Sequence, residues 1–181
     1  MKAFRSPLRE LGEFEEIRSK LKNHRGLMQI GGCIDSQRAH LIDALGEGYP
    51  LKIIVAANDL KAKEIAENYR FFDRNFYTFP AKDFIFFQAD VHSNQLERGR
   101  IRTLQALCGR EREKELCIIT TMTALMNRMM PPDQWQKASF TLTAGEEISL
   151  PDVRMALAGL GYEAADQVDG MGQFSDRKSV G

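Results

Sequence analysis

The 181-residue chain is 43% hydrophobic and 28% charged, and its 25 lysines and arginines balance 25 aspartates and glutamates. This composition suits a globular chain with a sizeable core, and the balance of charge excludes a global field drawing it to nucleic acid or an anionic membrane. No apolar stretch approaches the roughly 18 residues of a membrane span, the N-terminus lacks the apolar core of a secretory signal, and three widely spaced cysteines, Cys33, Cys108 and Cys117, predict reduced thiols in a cytoplasmic protein rather than a disulfide framework or zinc site.

Leu8, Leu11, Phe14, Ile17 and Leu21 recur at helical spacing and predict a first helix, ended near Gly26. Residues 27–30 (Leu-Met-Gln-Ile) read as a short strand. A helix then runs from about Asp35 to Leu45, with Ile34, Leu41, Ile42 and Leu45 on its buried side. Residues 51–56 (Leu-Lys-Ile-Ile-Val-Ala) predict a buried parallel strand, and Asn58 caps the helix that follows to about Phe72. Residues 75–79 form a third strand closed by Pro80, and the apolar run Phe84-Ile85-Phe86-Phe87 comes next. Ser93 or Asn94 caps a helix carrying Leu96, Ile101, Leu104 and Leu107. Residues 116–120 are a strand, and residues 121–130 a helix stopped by Pro131-Pro132.

After Asp133 the pattern changes. Residues 138–142 read as a strand, and residues 150–160 as a helix with Pro151 in its first turn and Gly161 at its end. Short strands are expected from Glu163 and at residues 173–175. Alternating β and α elements predict an α/β fold, a layered domain with a mainly parallel sheet over residues 1–132. The incomplete start of a small α+β domain follows over residues 133–175, with residues 176–181 an artefactual or disordered tail.

The segment with the outline of a site is Gly31-Gly32-Cys33-Ile34-Asp35-Ser36, an apolar run and glycine pair leading into a helix. A phosphate loop of the G-x-x-x-x-G-K-[ST] type needs a lysine to neutralise phosphate and a hydroxyl to hold Mg²⁺. Here no Gly-Lys pair is present, and Asp35 stands where phosphate would need positive charge. The turn therefore reads either as an anion site at a helix N-terminus or as a tight turn whose negative partner is Asp35 itself; the second reading is preferred. Cys33 reads as a small buried residue. His24, His40 and His92 match no metal-ligand spacing, and no nucleophile–base set can be assembled. Met122, Met126, Met129 and Met130 read as core filler, and Arg98 and Arg102 as one solvated helix face.

The order of segments resembles the N-terminal region of bacterial transcription-repair-coupling factors. The residues that carry the resemblance are Pro7-Leu8-Arg9-Glu10-Leu11-Gly12-Glu13-Phe14, then Gly32 through Leu41, then Gly161-Tyr162-Glu163, Asp166-Gln167-Val168 and Gly172-Gln173-Phe174-Ser175. The resemblance implies a UvrB-like, helicase-type α/β domain that has lost its ATP site, interrupted by a smaller domain that recruits the excision-repair protein UvrA. It implies no cofactor in this stretch. ATP and Mg²⁺ are used by the full-length factor, an ATP-dependent DNA translocase that meets stalled RNA polymerase and double-stranded DNA through other domains. Tyr162, Gln173 and Phe174 are the implied partner-binding residues, and Gly31, Gly32, Asp35 and Ser36 the degenerate phosphate loop. Two departures stand out: Ala164 lies where members often carry a basic residue, and Asp176-Arg177-Lys178 replaces the usual continuation of the last strand. Two other readings remain, a nucleotide-dependent enzyme of UvrB or helicase type with an unusual phosphate loop, and a small α/β protein-interaction module.

Overall fold

The computed structural model describes residues 5–23, 26–82, 90–109, 115–170 and 172–175. They fall into two compact units, residues 1–128 and 129–181.

The first unit opens with two helices, α1 (Ser6–Arg9) and α2 (Gly12–Asn23), followed by α3 (Asp35–Leu45). Then come β1 (Leu51–Ala56), α4 (Asp59–Tyr69), β2 (Phe76–Phe79), α5 (Asp90–Cys108), β3 (Leu116–Thr121) and the short α6 (Met122–Leu125). The three strands form one parallel sheet in the order β1-β3-β2, with Ile53 opposite Ile118 and Tyr77 opposite Ile118 on the other side. The expected α/β fold with a parallel sheet is thus present. β3 holds the centre because both its faces are apolar. Cys117 and Ile119 pack under α3 and α4 with Ile54, Ala66 and Tyr69. Ile118 faces the other way, in a cluster with Phe79 and Ala124 backed by Leu104 and Leu107 of α5. A strand covered on both sides needs this continuous apolar run.

The two edges of the sheet differ. Along β2, Thr103 of α5 shares its hydroxyl proton between the carbonyls of Gly99 (2.8 Å) and Thr78 (3.1 Å), and Arg100 Nη1 donates to Pro80 O at 2.7 Å. These bonds cover backbone acceptors that an edge strand otherwise leaves open. β1 has no second strand partner among the described residues, and Leu51, Ile53 and Val55 remain exposed.

Local signals account for the ends. The Asn58 side chain accepts from Lys61 N–H at 2.9 Å as the α4 cap, and Thr121 accepts from Ala124 N–H at 3.2 Å to start α6. Several expectations fail in this unit, the first being the single opening helix, which Glu10 and Leu11 break into α1 and α2. Residues 27–30 form no strand; Leu27 is 96% exposed, because a four-residue apolar run becomes a strand only where a ladder pairs it. The helix after β3 ends at Leu125, so Met122 and Met126 are exposed, not core filler. The buried side of α3 is only partly as expected: Ile42 packs on the core and Leu41 and Leu45 are half-buried, but the fully buried residues are Ala39, Asp43 and Ala44, and Ile34 is exposed. The run at residues 84–87, His24, and the tail at residues 176–181 lie outside the described residues, as does the side chain of His92.

The second unit contains α7 (Pro132–Lys137), α8 (Leu150–Gly159), β4 (Glu163–Ala164) and β5 (Gln173–Phe174). β4 and β5 pair in parallel, Glu163 opposite Gln173. α8 ends as its sequence predicts. Gly161 has φ +87°, its N–H bonds Ala158 O at 3.0 Å, and Tyr162 N–H bonds Leu157 O at 3.0 Å. Two further expectations fail. Pro131-Pro132 starts a helix rather than stopping one, since proline at the first helical position lacks only a hydrogen bond that is unmade there anyway. Residues 138–142 are then irregular, not a strand. Met129 and Met130 are exposed as well. No described residue of this unit is buried.

Candidate functional site

The glycine turn is built by the chain between α2 and α3. Gly31 and Gly32 are exposed, Gly32 takes φ +80°, and neither has a neighbour that a side chain would strike. Cys33 is half-buried with its Sγ 3.8 Å from Gly31 O. Ile34 occupies the N-cap of α3 in an extended conformation, without a capping side chain; instead Gln37 Oε1 accepts from Ile34 N–H at 3.2 Å. The free N–H groups of the first turn thus begin beside Asp35 and Ser36, both exposed.

Charge at this turn comes from two helices. Arg38 Nη1 lies 3.1 Å from Asp35 Oδ1, and Lys61 Nζ of α4 lies 3.6 Å from Asp35 Oδ2. Lys61 also holds Glu64 at 2.6 Å, and that hydrogen bond first, with Asp35 adding to it, raises the lysine above its ordinary range. The sequence contains no lysine beside the glycines, yet the fold delivers one from 26 positions after Asp35, because the start of α4 follows the carboxyl end of β1. Only Asn58, a visible cap, signals where α4 begins. Both cations are held on carboxylates.

The remaining chemistry-bearing groups are dispersed. His40 stacks on Phe72, with ring centres 4.7 Å apart. All three cysteines are free, and burial pushes the Cys117 thiol up, away from reactivity. Arg98 and Arg102 are exposed as expected. Arg100, one turn between them, is only 5% exposed and lies 4.0 Å over the Phe79 ring, where burial lowers its pKa against the opposing effect of Glu97. Alternation of arginines along the sequence concealed that burial. A cleft of about 1130 Å³ opens at the amino ends of the strands, lined by Pro50, Leu51, Asp73, Phe76, Leu107 and Leu116. That is the end of the sheet opposite the glycine turn. Among the described residues no three potential ligands gather to hold a metal ion, and no helix is long and apolar enough to cross a membrane.

In the second unit, Tyr162 follows the α8 terminus and is exposed, while Gln173 and Phe174 are half-buried in β5. Gln173 Oε1 accepts from the N–H groups of Asp169 (3.1 Å) and Gly170 (3.2 Å), so this side chain organises its own turn. The ladder brings Gln173 and Phe174 beside Glu163 and Ala164, one residue from Tyr162.

No family model matches the chain. It is similar to the transcription-repair-coupling factor of Staphylococcus aureus (strain USA300), 31% identical over 104 residues, which is 58% of this chain and 9% of that protein. It is also similar to the transcription-repair-coupling factor of Bacillus subtilis (strain 168), 25% identical over 179 residues, 96% of this chain and 15% of that protein. The chain therefore spans a small part, 9 to 15%, of the length of these relatives. The matches give remote homology to the bacterial transcription-repair-coupling factors.

Proposed function

We propose that this chain serves transcription-coupled DNA repair as a non-catalytic scaffold, the N-terminal part of a transcription-repair-coupling factor. The observation that carries the scaffold reading is the glycine turn. Asp35 places a carboxylate at the start of α3 and holds both nearby cations, Arg38 and Lys61, so the residues there do not fit the phosphates of a nucleotide. Phosphate binding at a helix start needs positive charge left over. Here it is already matched by Asp35 and Glu64. In this reading ATP and Mg²⁺, stalled RNA polymerase and double-stranded DNA are engaged by other parts of a longer protein. The second unit contributes to a surface for UvrA. Tyr162 supports that assignment: it is exposed and lies one residue from the β4–β5 ladder that carries Gln173 and Phe174.

Calorimetric titration of the 181-residue chain with ATP and Mg²⁺ tests the first claim, and no stoichiometric binding at micromolar nucleotide is expected. Purified UvrA tests the second: the chain binds it, and Tyr162→Ala weakens that binding. A second reading, a nucleotide-dependent enzyme with an unusual phosphate loop, is favoured by the presence of Arg38 and Lys61 at the turn. Stoichiometric ATP binding that disappears in Lys61→Ala would establish it and overturn the scaffold.

A further inference from the structure

We propose that the N-terminal helical arm, residues 5–23, is a strap clasped to the α/β body by two arginines and two carboxylates, and releasable as a unit without opening the sheet. The clasp lies at the far end of α3 from the glycine turn, and the inference stands independently of how that turn is read.

Arg5 reaches Asp43 through both prongs of its guanidinium, Nε to Oδ2 at 2.7 Å and Nη2 to Oδ1 at 2.9 Å. Its Nη1 lies 3.1 Å from Glu47, which also receives Arg9 at 2.8 Å. Asp43 lies in the last turn of α3 and Glu47 in the turn just past its Gly46 C-cap, and Arg5 reaches both. Tyr49 adds one bond, its hydroxyl donating to Leu21 O at 3.4 Å.

Apolar packing on the arm is sparse by comparison. α1 buries no residue and α2 buries only Phe14. Neither apolar cluster of the sheet contains a residue of the arm, so the core closes without it. The arm joins the body through the irregular segment 26–34, which includes Gly26, Gly31 and Gly32. Asp43 is almost fully buried. When the arm leaves, water replaces the guanidinium, and the carboxylate is solvated rather than stranded. That is why release can remain local. Two-pronged guanidinium–carboxylate bonds make such a clasp strong and directional, and salt weakens chiefly the more exposed Arg9–Glu47 pair, since buried pairs are screened much less.

Hydrogen exchange of the 181-residue chain, read by mass spectrometry, separates a strap from an integral element. In Asp43→Asn, amides of α2 should exchange about tenfold faster or more, while those of β1 and β3 change less than about twofold. Arg5→Lys keeps the charge but loses the fork, and should lie between. Added sodium chloride should move the wild-type arm in the same direction. Glu47→Gln, a half-exposed partner, reads the same contrast with less disturbance to the fold. Equal loss of protection in arm and sheet, including a variant that does not fold, would overturn the proposal by making the arm integral. Unchanged protection of α2 in both carboxylate variants would overturn it by assigning the hold to Phe14.

Discussion

In the first unit, a central strand has neighbours on both edges and helices over both faces, and Cys117 and Ile119 are sealed from water. In the second, helices of six and ten residues and a parallel ladder of two-residue strands leave Leu150, Met155 and Tyr162 in solvent. Both stretches carry well-formed local signals. Asn58 caps α4, and Gly161 closes α8. What separates the units is burial, and burial of apolar surface rather than capping supplies most of the stability of a fold. A parallel pair standing in solvent is otherwise rare, since parallel sheets lie covered on both faces. The contrast places the buried core in the first unit and leaves the second without a buried residue among those described.

The contrast breaks most readily at Ile119. Truncation to alanine should lower the stability of the first unit by about 3 kcal/mol, because the side chain is fully buried on the central strand among Ile54, Ala66 and Tyr69; chemical denaturation followed by exchange of β3 amides measures it. A loss below about 1 kcal/mol would mean that the sheet does not hold the unit together. Gly46→Ala comes next. Its added carbon would lie 2.4 Å from Lys52 Cδ and 2.8 Å from Ile42 O, and the second contact is backbone, so a cost of about 1–3 kcal/mol is expected in thermal unfolding. Gly161→Ala should cost about 1 kcal/mol locally, loosening the end of α8 in hydrogen exchange while the melting of the first unit stays unchanged. A shift in that melting would couple the two units.

Tyr69→Phe runs the other way. The Tyr69 hydroxyl is fully buried and among the described residues meets no nitrogen or oxygen partner, only the Cys117 thiol, and burial first, with Cys117 and Asp43 nearby, drives its pKa far up. Removing it should leave stability unchanged or raise it by about 1 kcal/mol, and a loss would reveal a partner for the hydroxyl. The smallest effect is expected at Met155, 72% exposed, where Met155→Ser should stay within about 0.5 kcal/mol. If that substitution instead abolishes UvrA binding, the contrast between the two units is sharpened.

Much of the first unit was legible because its signals are local. β-rich apolar runs bounded by Gly-Tyr-Pro, Pro80 and the charged stretch before Leu116 mark the three strands. The period of Ile101, Leu104 and Leu107 marks α5, although the helix begins earlier than its apparent caps, at Asp90. The residues at 27–30 carry the same kind of signal and form no strand, because a strand exists only through pairing with another. The methionines after β3 keep helical spacing, yet the helix stops at Leu125 and their side chains face water.

The candidate site shows the same division more sharply. The sequence by itself determined the glycine turn, the missing lysine beside it and the carboxylate at the start of α3, since these depend only on neighbours along the chain. Tertiary structure decided that Lys61 would meet Asp35, that Arg5 would neutralise Asp43 inside the fold, and that Arg100 would lie buried over Phe79. Each of these is a charge whose worth depends on distance and on exclusion of water. Both quantities are set when distant segments pack, and neither is written in the order of residues.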